Sequence, residues 1–426
     1  MTISIKNILA YLFVILTFIS VNLWSIFPIG NTYTNWGLYV IILLVVIKGF
    51  KPYYKVVEKK NILYVKLFLG WVIVCFFRGL FVADFYWDYK NLLNVSLALL
   101  LPLGIFIFMN PIVLQNIFVK WIKFALPLFF FFVVFIELQS YGYYLVVISV
   151  LSLFIPALPK KWKFLIIGVP IFVILSSFDA RSNVIKFSVP IFLSILYYQK
   201  SILKLMFLKI VYKSLFFLPL FFLILGTFSS FNIFKLDEFI SGEYSTIQVV
   251  KGESKEVSLM TDTRTFIYEE VIQSALINNY VLFGRTPAQG YDSNAFGYFN
   301  AEVLGTGRYE RYGSEVSIMN IFTWLGLVGV ILYFLIFFRA VTLAISNSNN
   351  MYIKIVGLYV LFRWVYAWVE DFNRFDIMNV MLWIVVAMCY SPAFRRMTDK
   401  EFKFWVRGIF DKRYLKTLIN RGMNEG

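Results

Sequence analysis

The sequence contains no histidine. A mechanism that uses an imidazole as general base or metal ligand is therefore excluded, and many hydrolases go with it. There are two cysteines, Cys75 and Cys389, each inside a separate apolar run. One isolated thiol in each of two segments makes neither a disulfide framework nor a thiolate metal site. Charge is scarce too: 15% of residues are Asp, Glu, Lys or Arg, where a soluble domain carries about a quarter. There is no Asp-rich metal motif, so neither a metal nor another cofactor is expected. No internal repeat of the kind common in transporters is evident.

What the chain has in excess is apolar surface. Its 426 residues are 60% hydrophobic, with 48 Phe and a mean hydropathy of +0.75. A water-soluble fold could not hide that much. The apolar residues come in runs of roughly 16–22, enough to cross about 30 Å of hydrocarbon as helix. In lipid each backbone polar group must be satisfied inside the spanning structure, which leaves helices or closed barrels. Barrel strands would be about half as long and would alternate in polarity. The sequence thus predicts an all-α polytopic membrane protein with about twelve transmembrane helices. The predicted segments are 8–27, 36–48, 62–82, 91–109, 121–137, 142–157, 163–178, 183–198, 211–228, 316–338, 353–370 and 375–391. The first run is too long for the core of a cleaved signal peptide and lacks a small-residue cleavage site, so it reads as a signal anchor.

The formal charge of +16 is distributed as a topology signal. With the N-terminus in the cytoplasm, the cytoplasmic connections carry Lys51, Lys55, Lys59 and Lys60, then Lys160, Lys161 and Lys163, then Lys200, Lys204, Lys209 and Lys213. The tail adds nine more Lys and Arg between Arg395 and Arg421. The opposite short loops hold only Lys90, Arg181 and Arg374, with Asp84, Asp88, Glu370 and Asp371 beside them. This positive-inside bias puts both termini in the cytoplasm, and nucleic acid is not an expected partner. Four regions follow: helices 1–9 over 1–228, a large extracytoplasmic loop over 229–315, helices 10–12 over 316–391, and a basic amphipathic tail over 392–426. In that tail Phe402, Trp405, Ile409 and Phe410 fall at helical spacing among cations. The pattern suits a helix lying on anionic headgroups or, alternatively, one that docks on protein.

A loop of roughly 85 residues is long enough to be functional or disordered. Here it contains an amphipathic stretch over 263–282, with Phe266, Ile267, Val271, Ile272, Ala275 and Leu276 as a candidate apolar face and Thr261 or Asp262 as a candidate cap. A turn-dense stretch over 290–307 follows, ending in Arg308-Tyr-Glu-Arg311-Tyr-Gly-Ser-Glu315 directly before the next helix.

Asp262-Thr-Arg264, the amphipathic helix and Leu282-Phe-Gly-Arg285 together resemble the large-loop signature of O-antigen polymerases and ligases. So does Ser-Glu-Val-Ser-Ile-Met-Asn320 leading into Trp324-Leu-Gly326-Leu-Val-Gly329. Asp179-Ala-Arg181-Ser182 is similar to that superfamily's other arginine site. The ligase branch carries a His-Asn pair before the late helix; Glu315 and the absence of His favour a Wzy-type polymerase. The twice-repeated Arg-to-Gly spacing of some polymerases is not found.

The resemblance implies a GT-C-type architecture and a reaction at the outer leaflet of a bacterial plasma membrane. An acceptor hydroxyl attacks the anomeric carbon of a glycan carried on undecaprenyl diphosphate, and the lipid diphosphate leaves. Partners implied are the lipid-linked donor and acceptor, membrane lipids and a chain-length regulator. Arginine suits the growing phosphate charge because its planar fork pairs bidentately. Arg181, Arg264 and Arg285 are the first candidates, Arg308 and Arg311 the next. For a carboxylate that deprotonates or orients the hydroxyl, Glu315 leads, followed by Asp262 and Asp179. Ionisable groups inside spans are functional candidates by default, which adds Lys186 and Arg363.

Each has a plainer reading. Arg264 could pair with Glu269 or Glu270, Arg285 could be a solvated turn residue, and Arg181 could snorkel to headgroups. Arg308 and Arg311 could meet lipid phosphate, Glu315 could cap the helix beside it, and Arg363 could form an intramembrane ion pair. A ligase-like glycan transferase and a lipid-linked oligosaccharide flippase are the alternative functions.

Overall fold

The computed structural model describes residues 5–50, 60–176, 178, 180–199, 204–227, 245–250, 253–258, 264–411 and 413–414. It is mostly helical. Among the described residues, seven helical stretches are long and apolar enough to cross a membrane: Ile5–Trp24, Thr32–Gly49, Leu63–Val82, Tyr86–Phe108, Pro111–Phe132, Leu205–Gly226 and Ser317–Ser346. Large apolar side chains stand exposed on several of them, Phe81 and Met206 among the most open. Such a surface suits a lipid solvent and no aqueous one.

The other five predicted segments differ in kind. Lys160–Ser176, Arg181–Ile195, Met351–Tyr366 and Ile377–Tyr390 are helices of 17, 15, 16 and 14 residues. At 1.5 Å per residue the last reaches only about 21 Å. Every one of its residues is buried, so it is a central post surrounded by protein. Residues 142–157, expected as one span, are instead broken into Tyr141–Tyr144, Val146–Ser152 and a 3₁₀ turn at Ile155–Ala157. These pieces are almost wholly buried, and buried irregular backbone can find protein partners that lipid would deny it. Because Ile377–Tyr390 begins two residues after the predicted start and Met351–Tyr366 ends four residues early, residues 367–376 form a connection that is longer and more polar than expected.

Breaks inside the long helices have local causes. Tyr86–Phe108 tightens to 3₁₀ at Leu101–Gly104, where Pro102 sits in the first turn. Pro111–Phe132 starts on Asn110, whose side chain accepts the Ile112 N–H at 2.8 Å, and carries a π turn at Trp121–Ala125 ahead of Pro127. A proline lacks the N–H that a regular turn would use, and a π bulge absorbs the mismatch.

The sharpest break is at Gly326 in Ser317–Ser346, where the backbone takes φ 67° and ψ −169°. Residues 281–285 of the long loop dock into it. The Arg285 N–H donates to Thr323 O at 2.7 Å, Leu327 N–H to Val281 O at 2.9 Å and Val328 N–H to Leu282 O at 3.2 Å. Trp71 Nε1 donates to Leu325 O at 2.9 Å. Gly284 and Gly326 touch backbone to backbone. A Cβ on Gly284 would come within 2.5 Å of the Gly326 nitrogen, and one on Gly326 within 2.3 Å of Leu282 O. The two motif segments noted in the sequence are therefore one interlocked piece of structure. Arg78 clamps it from Leu63–Val82, donating to Phe283 O at 2.7 Å and Gly284 O at 3.1 Å.

The helical body agrees with the all-α expectation, and the loop adds two short antiparallel ribbons. Ser245–Val250 pairs with Glu253–Ser258, and Tyr291–Asp292 pairs with Glu310–Arg311. The amphipathic helix is shorter than expected, Thr265–Ile277, and it buries Ile267, Tyr268, Val271, Ser274 and Ala275. Ile272 and Leu276, expected on that face, are exposed. Arg264 occupies the N-cap without a side-chain cap bond, and the expected caps Thr261 and Asp262 lie outside the described residues.

The tail helix Asp399–Phe410 does not leave its apolar face to headgroups. Phe402, Trp405, Val406 and Ile409 are buried against the body, Trp405 Nε1 donates to Pro111 O at 2.8 Å, and Phe402 stacks on Tyr352 at 4.9 Å. The docking alternative holds, because the bundle offers a dry aromatic seat at that end.

Candidate functional site

A cavity of about 730 Å³ opens at the opposite end of the bundle from the tail helix. Its wall is built from helix ends: Ile19 and Ser20, Thr32 and Asn35, Lys90 and Asn91, Tyr143, Asn320, and the connection from Glu370 to Asp376. The long loop contributes Arg264 and the run from Arg311 to Glu315. Four cations line it, Lys90, Arg264, Arg311 and Arg374, against four carboxylates, Glu315, Glu370, Asp371 and Asp376. Between the charges lie amides, Asn22, Asn35, Asn91, Asn94, Asn320 and Asn373, and aromatic rings such as Trp24 and Trp324. Trp24 stacks on Tyr143 at 4.5 Å, and Tyr39 on Phe375 at 4.2 Å.

Of the residues singled out in the sequence, Arg264, Arg311 and Glu315 come together here. Arg264 anchors its Nε on Val369 O at 3.2 Å, which ties the start of the loop helix to the 367–376 connection. Arg311 Nη2 meets Glu315 Oε1 at 2.5 Å, and its guanidinium lies 4.3 Å over the Phe296 ring. Burial alone would push the Glu315 carboxyl up, but the bond and charge of Arg311 outweigh it, and Arg264 adds to them, so the group is held below the usual range. Glu315 is therefore not the helix cap. The helix starts at Ser317 behind Val316, and Glu315 spends its charge on Arg311.

Three other predicted cations fall elsewhere. Arg285 bonds Asp292 Oδ1 at 2.7 Å and Gly290 O at 3.0 Å, within 3.8 Å of Glu310. It organises the loop from inside and is absent from the cavity wall. Arg308 pairs with Asp88 and with Glu310 at 3.0 Å. Tyr312 donates to the same Asp88 at 2.7 Å, so that carboxylate fastens the loop to the start of Tyr86–Leu99. Arg181 is an exposed first residue of its helix, off the cavity wall. Asp262 and Asp179 lie outside the described residues.

Lys186 and Arg363 form a buried layer behind the wall. Lys186 Nζ meets Glu370 Oε1 at 2.8 Å and Ser182 Oγ at 3.1 Å. Arg363 is 1% exposed, lies 4.3 Å over the Phe372 ring, and makes no hydrogen bond through Nε or Nη2 among the described residues. Lys186 thus reaches the cavity through Glu370.

The residues that sequence reasoning missed are concentrated in Glu370-Asp-Phe-Asn-Arg-Phe-Asp376. Asp371 accepts from Asn320 Nδ2 at 3.2 Å and from Asn373 N–H at 3.0 Å, with Arg374 at 3.5 Å. Its burial raises it above an ordinary aspartate. Asp376 caps Ile377–Tyr390, accepting the Asn379 N–H at 2.8 Å. The available signal was the density of polar residues packed between two apolar runs. It was obscured because segments read as 353–370 and 375–391 left little room for a loop.

No protein-family model, no curated protein and no solved structure matches this chain.

Proposed function

We propose that the protein is a membrane polymerase of surface polysaccharide, joining undecaprenyl-diphosphate-linked repeat units into O antigen or a related polymer at the outer leaflet. The observation that carries this reading is the makeup of the cavity wall. Every helix end in it is one that the positive-inside rule assigns to the outside, and the long loop delivers Arg264 and Arg311 to the same place. A mixed wall of amides, aromatic rings and charges suits sugars carried on a diphosphate.

In this reading Arg264 and Arg311 hold the leaving diphosphate, whose charge grows as the anomeric bond breaks. Arg311 is masked by Glu315, and an incoming diphosphate, richer in charge, competes with that carboxylate for it. Lys186 and Arg363 add positive potential from behind. Arg285 and Arg308 support the loop and do not touch substrate.

The test is the polysaccharide ladder of a strain lacking the protein, complemented at matched membrane levels with wild type or with Arg264→Ala, Arg311→Ala or Glu315→Ala. The null strain should show single repeat units only. The two arginine variants should lose about 10²-fold or more of polymer, as when one preorganised donor is removed from a transition state. Long polymer left on the carrier lipid and absent from its final acceptor would mean the ligase-like transferase instead. A normal ladder in the null strain would remove both enzymes.

A further inference from the structure

We propose that Asp376 is the group that takes the proton from the acceptor hydroxyl, a role that rests on the polymerase reading above. Three of the four carboxylates on the cavity wall are already engaged by a cation. Glu315 holds Arg311 at 2.5 Å, Glu370 holds Lys186 at 2.8 Å, and Asp371 faces Arg374 at 3.5 Å. Asp376 has no cation within ion-pair distance among the described residues. Its Oδ1 accepts the Asn379 N–H. Among the described residues its Oδ2 makes no hydrogen bond, and the residue lines the cavity. A general base needs a lone pair that no cation holds down, and Asp376 is the carboxylate of the wall that has no cation partner among the described residues while its side chain is held in place.

The surroundings fit the task. The N-cap bond fixes the side chain's rotamer, and Phe375, stacked on Tyr39 at 4.2 Å, fixes the backbone beside it. The charged and titratable groups that face Asp376 are Arg374, Asp371 and Lys186, with Tyr39 and Tyr143 across the cavity. Burial pushes the carboxyl up to about 6, the Asn379 N–H and Arg374 pulling against it. It is thus ionised at neutral pH and still basic enough to hold a proton, which is the compromise a general base requires.

The step balances without a metal. The hydroxyl oxygen bonds to the anomeric carbon as its proton passes to Asp376 Oδ2. The bond from that carbon to the diphosphate oxygen breaks, and its electron pair leaves with the diphosphate, held by Arg264 and Arg311. The proton then returns to water through the open mouth of the cavity.

The experiment uses the full-length protein in proteoliposomes, fed with lipid-linked repeat units extracted from a strain that lacks it. Asp376→Asn keeps an oxygen for the Asn379 N–H, so the cap survives. Its kcat should fall by about a hundredfold or more, with KM for the lipid-linked donor held and the acid limb of the pH–rate profile lost. Asp376→Glu should recover part of the rate. Asp376→Ser, which also caps but carries no base, should match Asp376→Asn and serves if the latter misfolds. Activity of Asp376→Asn or Asp376→Ser within about threefold of wild type would overturn the proposal, leaving Asp376 a helix cap and the polymerase intact. If wild type makes no polymer from these lipids, the polymerase reading falls and this one with it.

Discussion

Lys186 and Glu370 place two opposite charges almost out of solvent, at 2% and 17% side-chain exposure. Such a pair is weak proof of stability, but breaking it strands one buried charge, at about 3–5 kcal/mol. Lys186→Met should therefore lower the thermal unfolding midpoint in detergent sharply, and Lys186→Met with Glu370→Leu should recover most of the loss. Equal damage in the single and double variants would show that the pair is not coupled. At this scale the sequence was partly legible. Arg264, Arg311 and Glu315 stood out because the resemblance implied arginines for a growing phosphate charge and a carboxylate for an acceptor hydroxyl. Asp376 did not, because its neighbours Phe375 and Ile377 made it look like the polar edge of a span. Arg285 misled for the opposite reason: a lone arginine after a glycine says nothing of the Asp292 and Glu310 that the loop folds back around it.

At the scale of elements, apolar runs located the helices well, because length and hydropathy are all that lipid demands of a spanning segment. They could not show where a helix is broken and buried in protein, as at 141–157, or which apolar face of a tail finds protein before lipid, as at Trp405. The break at Gly326 belongs here. Its positive φ and the backbone of residues 282–284 against its Cα leave no room for a side chain. Gly326→Ala combines backbone strain of about 1–3 kcal/mol with a clash that no rotamer relieves. It should reduce folded protein in the membrane and lower the unfolding midpoint, and Gly284→Ala, which meets the same backbone from the other side, should do likewise. Gly70→Ala, with open space around it, is the matched control. Wild-type stability in Gly326→Ala would mean that the loop does not dock in the break.

For the whole molecule, two groups of helix ends separate cleanly. The cavity collects one set, while Trp405, Phe402 and Ser391 gather the other at Pro111, Tyr352 and Met109. The charge pattern assigns the first set to the outside and the second to the cytoplasm. Asn294 and Lys400 are exposed, one in each group's surroundings, and the native Cys75 and Cys389 are buried. A membrane-impermeant maleimide on intact spheroplasts should label Asn294→Cys and spare Lys400→Cys until the membrane is opened. The reverse pattern would invert the topology and move the cavity to the cytoplasm.

The mutual fit of Gly284 and Gly326 also limits how this protein can be recombined. Residues 281–285 supply the hydrogen bonds that the broken helix cannot make for itself, so loop and helix form one inheritable part. Transplanting the loop alone into another membrane protein would leave unpaired backbone in the recipient and an unfilled notch in the donor. A chimera that moves 264–346 together carries both halves of the joint, and is the smallest exchange expected to transfer the cavity's loop-borne wall intact.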